Sequence, residues 1–340
     1  MSETYASAGV DLDAAERAKE RLRSLVASTR DKWTLSELGS FGGLYAVPDG
    51  APDPVLVASA DGVGTKLKVA FQTGRHDTVG RDLVNHCVND ILVQGARPIF
   101  FLDYLAVGTM DEVTVTQVVS GVAQGCRDNG CALLGGETAQ MPDFYAAGEY
   151  DLAGFIVGLV ARDKILDGSA VRPGDALIGI ASTGLHTNGY TLARRIVFDR
   201  MKLGPADALP GTGESAGDAL LAPHRSYLKP LWPQLEARRI HALAHITGGG
   251  VPSNLPRVLP AGVGAVIERR SWTPPALFQA LQTAGAVAQD EMDRVFNMGV
   301  GMIAIVAPAE ADRVVAELNA AGEQAWVLGK TETGEGVRYA

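Results

Sequence analysis

Apolar residues at positions 79, 83, 84, 87, 88, 91 and 92 recur three and four apart, so 79–94 is predicted to be a helix packed along one face. A charged amphipathic pattern predicts another helix over 12–29. Between them, 33–50 carries Gly39, Gly42 and Gly43 around Ser40 and Phe41; packing alone would order it poorly, and it is a candidate flap. Apolar runs bounded by turn residues predict strands over 55–60, 99–107, 131–134 and 152–160, with a helix over 112–127.

The polar triplet Arg162-Asp163-Lys164 leads to a Pro173-Gly174-Asp175 turn and a new strand over 176–181, which divides the chain into domains 1–166 and 167–340. The second domain is expected to continue with a helix after Asn188, a helix over 223–238 and strands over 242–246 and 264–268. A helix over 275–284, a strand over 300–307, a helix over 310–321 and short strands near Trp326 and Val337 complete it. Both halves mix helix and strand, so the class is α+β: two mixed α/β domains, each with a sheet backed by helices.

A length of 340 residues suits two cores, and 46% hydrophobic with 20% charged residues is ordinary globular usage. The net charge of -9 argues against a nucleic-acid partner, which needs clustered Lys and Arg. It leaves room for a phosphorylated small molecule held by backbone N–H groups and a divalent cation. Cys87, Cys126 and Cys131 lack C-x-x-C spacing and fit reduced, buried thiols. The acidic N-terminal stretch suits neither a signal peptide nor a membrane anchor, so a cytoplasmic location is expected.

Asp61-Gly62-Val63-Gly64-Thr65-Lys66 follows the strand 55–60. Two glycines let backbone N–H groups approach phosphate oxygens, Lys66 adds positive charge and Asp61 can hold a bridging metal; the same residues also make an ordinary tight turn. Asp90 near the end of helix 79–94 and Glu137 in Gly135-Gly136-Glu137-Thr138 after strand 131–134 would complete an oxygen shell for Mg²⁺, although solvated acids occupy such places too. Gly329-Lys330-Thr331 is no P-loop, since Gln324 stands where the first glycine should be. Gly299-Val300-Gly301 leads into a strand where a dinucleotide fingerprint needs a helix.

Seven segments occur in the order found in aminoimidazole ribonucleotide synthetases, which the chain resembles over nearly its whole length. They are 61–66, 87–95, 100–104, 135–138, His186-Thr187-Asn188-Gly189, 245–250 and Phe296-Asn297-Met298-Gly299-Val300-Gly301-Met302. The first and fourth are shared with a wider superfamily that includes selenophosphate synthetases and hydrogenase maturation proteins. Gln140 and Met298 depart from the Glu and Cys common in the family.

The resemblance implies an ATP- and Mg²⁺-dependent cyclo-ligase acting on formylglycinamidine ribonucleotide, and a homodimer whose N-terminal sheets pair. It assigns Gly42, Gly43, Asp61, Gly62, Gly64, Thr65, Lys66, Asn89 and Thr138 to ATP, and Asp61, Asp90 and Glu137 to the metal. It assigns Asn188, Gly189, Thr247, Gly248, Gly249 and Gly250 to substrate, and catalysis to His186, Lys66 and Asp90. His76, His86, His224, His241 and His245 are left as structural. Competing expectations are another ATP-using member of the superfamily, with different second-domain loops, and a nucleotide-binding subunit that does not turn over.

Overall fold

The computed structural model describes residues 12–36, 43–48 and 53–340. It divides into one unit of Met1–Ile91 with Arg97–Arg162 and another of Leu92–Ala96 with Asp163–Ala340.

The first unit runs α1 (Leu12–Ala27), β1 (Pro54–Gly62), α2 (Leu67–Thr73), α3 (Val79–Leu92), β2 (Arg97–Val107), α4 (Glu112–Asn129), β3 (Ala132–Gln140) and β4 (Tyr150–Ala161). Local chemistry sets the ends of α4: Asp111 accepts from the N–H groups of Val113 and Thr114, and Gly130 closes the helix in the left-handed conformation. The sheet order is β1-β4-β2-β3, antiparallel except for the parallel β2/β3 pair.

Alternation along these strands separates two faces. Asp61, Gly154, Asp103 and Gly136 lie in register across the four strands. A Cβ at Gly154 would collide with Leu83, so this row faces α3. The opposite face is apolar yet open: Leu56 is 61% and Phe155 47% exposed. There Ala60 pairs with Phe155, and Phe155 with Leu102.

β3 is longer than the predicted 131–134 and carries 135–138 inside the ladder with β2. Gly136 has to be glycine because the side chain and carbonyl of Asp103 fill the space of a Cβ. The sequence rule that glycine pairs end strands is overridden by this close approach.

The second unit is built on a six-stranded mixed sheet, β10-β7-β9-β5-β8-β6, of β5 (Ala176–Ala181), β6 (Ile240–His245), β7 (Val263–Ile267), β8 (Val300–Val306), β9 (Ala325–Thr333) and β10 (Val337–Tyr339). Only β10/β7 is parallel. Every residue of β8 is buried, as its unbroken apolar run requires of a strand covered on both faces. The helices are α5 (Tyr190–Arg194), α6 (Ala216–Leu221), α7 (Leu228–Glu236), α8 (Gly250–Asn254), α9 (Ala276–Gly285), α10 (Gln289–Val295) and α11 (Ala311–Ala320). Gly299 opens onto β8, and Gly329-Lys330-Thr331 lies within β9, so neither imitated nucleotide motif has the required strand-to-helix context.

Candidate active site

In the first unit, β1 ends at Asp61-Gly62 and the chain turns through a short 3₁₀ segment, Gly64–Lys66, into α2. Gly64, at φ +68°, and Thr65 are exposed at this turn. Asp61 Oδ1 accepts from the Gly62 N–H at 2.6 Å, and its Oδ2 lies 2.7 Å from His86 Nε2 on α3. The same Nε2 is 3.7 Å from Asp90 Oδ2, which also accepts from Ser59 Oγ at 3.2 Å. One imidazole thus stands between two carboxylates.

Burial alone would lower the His86 pKa, but the hydrogen bond to Asp61 and the charges of Asp90, Asp61 and Asp82 hold it above its ordinary value. Burial likewise raises Asp61, yet the His86 hydrogen bond and charge and the Gly62 N–H leave it below the usual carboxylate range. Asp61 and Asp90 are oxygen donors partly open to solvent, a set that fits a hard divalent cation.

Two predicted members of this site lie elsewhere. Lys66 is fully buried, its Nζ 2.8 Å from an equally buried Asp82 Oδ2, and is not presented to a phosphate. The 3₁₀ turn rotates it inward, where Asp82 compensates the loss of water; burial still pushes its pKa down. Glu137 is exposed and pairs with Tyr104, in the row beside that of Asp61, so it points to the opposite sheet face. It is not gathered with Asp61 and Asp90 in this chain. Asn89 is buried, Thr138 half-buried and Gly43 exposed beside Leu134; Gly42 lies outside the described residues.

In the second unit, the loops after β5 and β6 converge. A Cβ at the exposed Gly248 would sit 3.2 Å from Asn188 Oδ1. Asn254 draws in its loop, donating to the carbonyls of Gly250 at 2.8 Å and Gly248 at 3.2 Å and accepting from Thr247 Oγ1 at 3.1 Å. Gly250, at φ +59°, lies so close to the Asp293 carbonyl that no side chain fits; Gly189, at φ +79°, is held against the Phe296 ring in the same way. Asn297 ties the first loop down by donating to the Gly184 carbonyl at 2.9 Å and accepting from Ser182 Oγ at 3.1 Å.

His186 is not solvated in its loop but buried, with a left-handed φ of 60°. Its Nε2 accepts from the Thr183 N–H at 3.2 Å, and its ring stacks on His224 with centroids 4.0 Å apart. His224 Nε2 is in turn 3.0 Å from His245 Nε2. The donor atoms of the three histidines fall within 4.8 Å of one another. The His245 ring is tilted 57° to that of His224, so the two meet through their Nε2 atoms and not face to face.

Residues 42–160 match the family model of the AIR synthase related protein, N-terminal domain, and 172–339 that of the corresponding C-terminal domain. The chain is 52% identical to the phosphoribosylformylglycinamidine cyclo-ligase of Trichlorobacter lovleyi over 331 residues, covering 97% of this chain and 95% of that one. The chain belongs to the phosphoribosylformylglycinamidine cyclo-ligase family. Members are thus ligases by name, and the fold is shared more widely than the family. Thiamine-monophosphate kinase from Stenotrophomonas maltophilia superposes with a TM-score of 0.71 at 19% identity, covering 94% of this chain and 95% of that one. A hydrogenase maturation protein HypE solved in complex with ATP gives 0.61 at 18% identity, covering 92% and 86%.

Within this cyclo-ligase, His86, Asp82, Asn254 and Asn297 are the residues that motif reading passed over. A signal existed for two of them: 82, 86 and 90 are spaced four apart on one helix and share a face. No spacing links Asn254 or Asn297 to the loops they hold.

Proposed function

We propose that the chain is the ATP-dependent ligase that closes formylglycinamidine ribonucleotide to aminoimidazole ribonucleotide in de novo purine biosynthesis, releasing ADP and phosphate. The observation that carries this reading is the match to a cyclo-ligase along almost the entire chain. In the reaction the formyl oxygen attacks the γ-phosphorus of ATP and the bond to ADP breaks. The ribosyl-bearing amidine nitrogen then attacks the activated carbon, the C–O bond breaks with departure of phosphate, and the nitrogen loses its proton.

Asp61 and Asp90 would hold Mg²⁺, which neutralises phosphate oxygens when bound. Gly64 and Thr65, exposed at this turn, would face the nucleotide. The N–H groups of Gly62 and Val63 are taken by Asp61 Oδ1 and the Leu152 carbonyl. Lys66 holds this turn onto α3 through Asp82 instead of touching phosphate. Asn188, Gly189 and the 247–250 loop bind the substrate phosphate, and His186 exchanges a proton with the reacting group, backed by His224 and His245. Holding the two ends of one substrate together contributes roughly 7–11 kcal/mol in favourable intramolecular cases.

The open apolar face bearing Leu56 and Phe155 is covered by the same face of a second copy, giving a homodimer. Cys87, Cys126 and Cys131 are free and buried, in keeping with a cytoplasmic enzyme. Among the described residues no helix is long and apolar enough to cross a membrane.

The test is ADP formation with and without formylglycinamidine ribonucleotide, with the ring product measured on the same sample. One ADP per ring is expected, with little ADP when the ribonucleotide is omitted. ADP release indifferent to the ribonucleotide, or ATP binding without turnover, overturns the reading in favour of another superfamily activity or a regulatory subunit.

A further inference from the structure

Asp61 and Asp90 come from different elements, the end of β1 and the last turn of α3, and two carboxylates brought together repel one another. Something has to hold them in place before a cation arrives. His86 is the group whose position does this. It is buried, one helical turn before Asp90, and its Nε2 reaches Asp61 Oδ2 at 2.7 Å and Asp90 Oδ2 at 3.7 Å. Ser59 Oγ, two residues before Asp61 on the same face of β1, donates to the same Asp90 Oδ2 at 3.2 Å.

We infer that His86 is a positioning residue of the metal site: its Nε2–H, donated to Asp61, sets the orientation in which Asp61 and Asp90 together receive a divalent cation. The inference rests on the proposed assignment of Mg²⁺ to those two carboxylates. His86 itself touches neither nucleotide nor substrate in this role. A neutral imidazole suffices, because the hydrogen bond needs only the Nε2 proton. Groups that hydrogen-bond a metal ligand from behind typically change metal affinity 10- to 100-fold when removed.

The experiment uses the full-length, nucleotide-free protein and Mn²⁺ as the probe, with free Mn²⁺ followed by its paramagnetic resonance. His86→Leu removes the donor at similar volume, and His86→Gln keeps an N–H donor. The leucine variant is expected to bind Mn²⁺ about tenfold more weakly or worse, with the glutamine variant recovering most of the loss. In turnover, the Mg²⁺ concentration for half-maximal rate should rise in step, while kcat at saturating Mg²⁺ stays within about threefold. A merely structural histidine would lower stability without moving the metal dependence.

Wild-type Mn²⁺ affinity in His86→Leu, or a glutamine variant as weak as leucine, overturns the role of His86. Asp61→Asn and Asp90→Asn run beside them separate the two levels. Loss of Mn²⁺ in these variants alone leaves the metal site standing without His86, whereas wild-type binding in both removes the metal assignment and this inference with it. Should His86→Leu not fold, His86→Asn, whose amide is too short to reach Asp61, replaces it with the same two readings.

Discussion

Lys66 Nζ and Asp82 Oδ2 lie 2.8 Å apart with both side chains wholly buried, joining the turn after β1 to the first turn of α3. A buried pair is weak evidence for net stability, but removing one partner strands the other charge. Lys66→Met is therefore expected to destabilise by about 3–5 kcal/mol, and Lys66→Met combined with Asp82→Leu to recover much of that in chemical unfolding. A double variant no more stable than the single one would show that the pair is not the coupling element.

Asp61→Asn and Asp90→Asn should each lower turnover by at least about 10²-fold, because each removes charge from the proposed cation site. Both residues are partly exposed, so circular dichroism and melting should stay close to wild type. A near wild-type rate at saturating Mg²⁺ takes the substituted residue out of the metal site.

Asp103 supplies the pH prediction. Burial pushes its carboxyl up to about 7 in the folded chain. The folded state then binds more protons than the unfolded one between the ordinary carboxylate range and pH 7, so stability falls as pH rises through that window and levels off above it. The full effect is at most about 4 kcal/mol. Asp103→Asn should flatten the decline and be the more stable protein at pH 8, as read from melting between pH 5 and pH 8. Parallel curves for the two proteins would assign the pH dependence to other groups.

His186→Asn separates proton transfer from backbone strain, since asparagine tolerates the left-handed conformation that His186 adopts. Ring formation in a single turnover should slow by roughly 10²–10⁴ while nucleotide binding holds. An unchanged rate with lower stability would leave His186 a packing residue.

Sedimentation at micromolar concentration should give one species near twice 35.7 kDa. Phe155→Glu, placed on the open face of the first sheet, should shift it to the mass of a single chain. A wild-type monomer with full activity would refute the dimer.

Helix and strand periodicity alone predicted α3, β2 and the buried strand β8, because a repeat of 3.6 or an unbroken apolar run has few other solutions. The ordered motifs pointed to the family, and the Asp61 turn to phosphate chemistry. Other features depended on contacts between residues far apart in the chain. Strand β3 passes through Gly135 and Gly136 because β2 offers it a ladder and Asp103 fills the missing side chain's place. Glu137 fell on the wrong face for Asp61 because side chains alternate along a strand, and only the register across four strands decides which face each one takes. Lys66 turned inward because Asp82, sixteen residues on, was there to meet it. Residue order names the chemical groups this protein owns and the elements that carry them; which of them meet is set by long-range packing, since a charge is buried or aimed at a ligand according to the partners brought beside it.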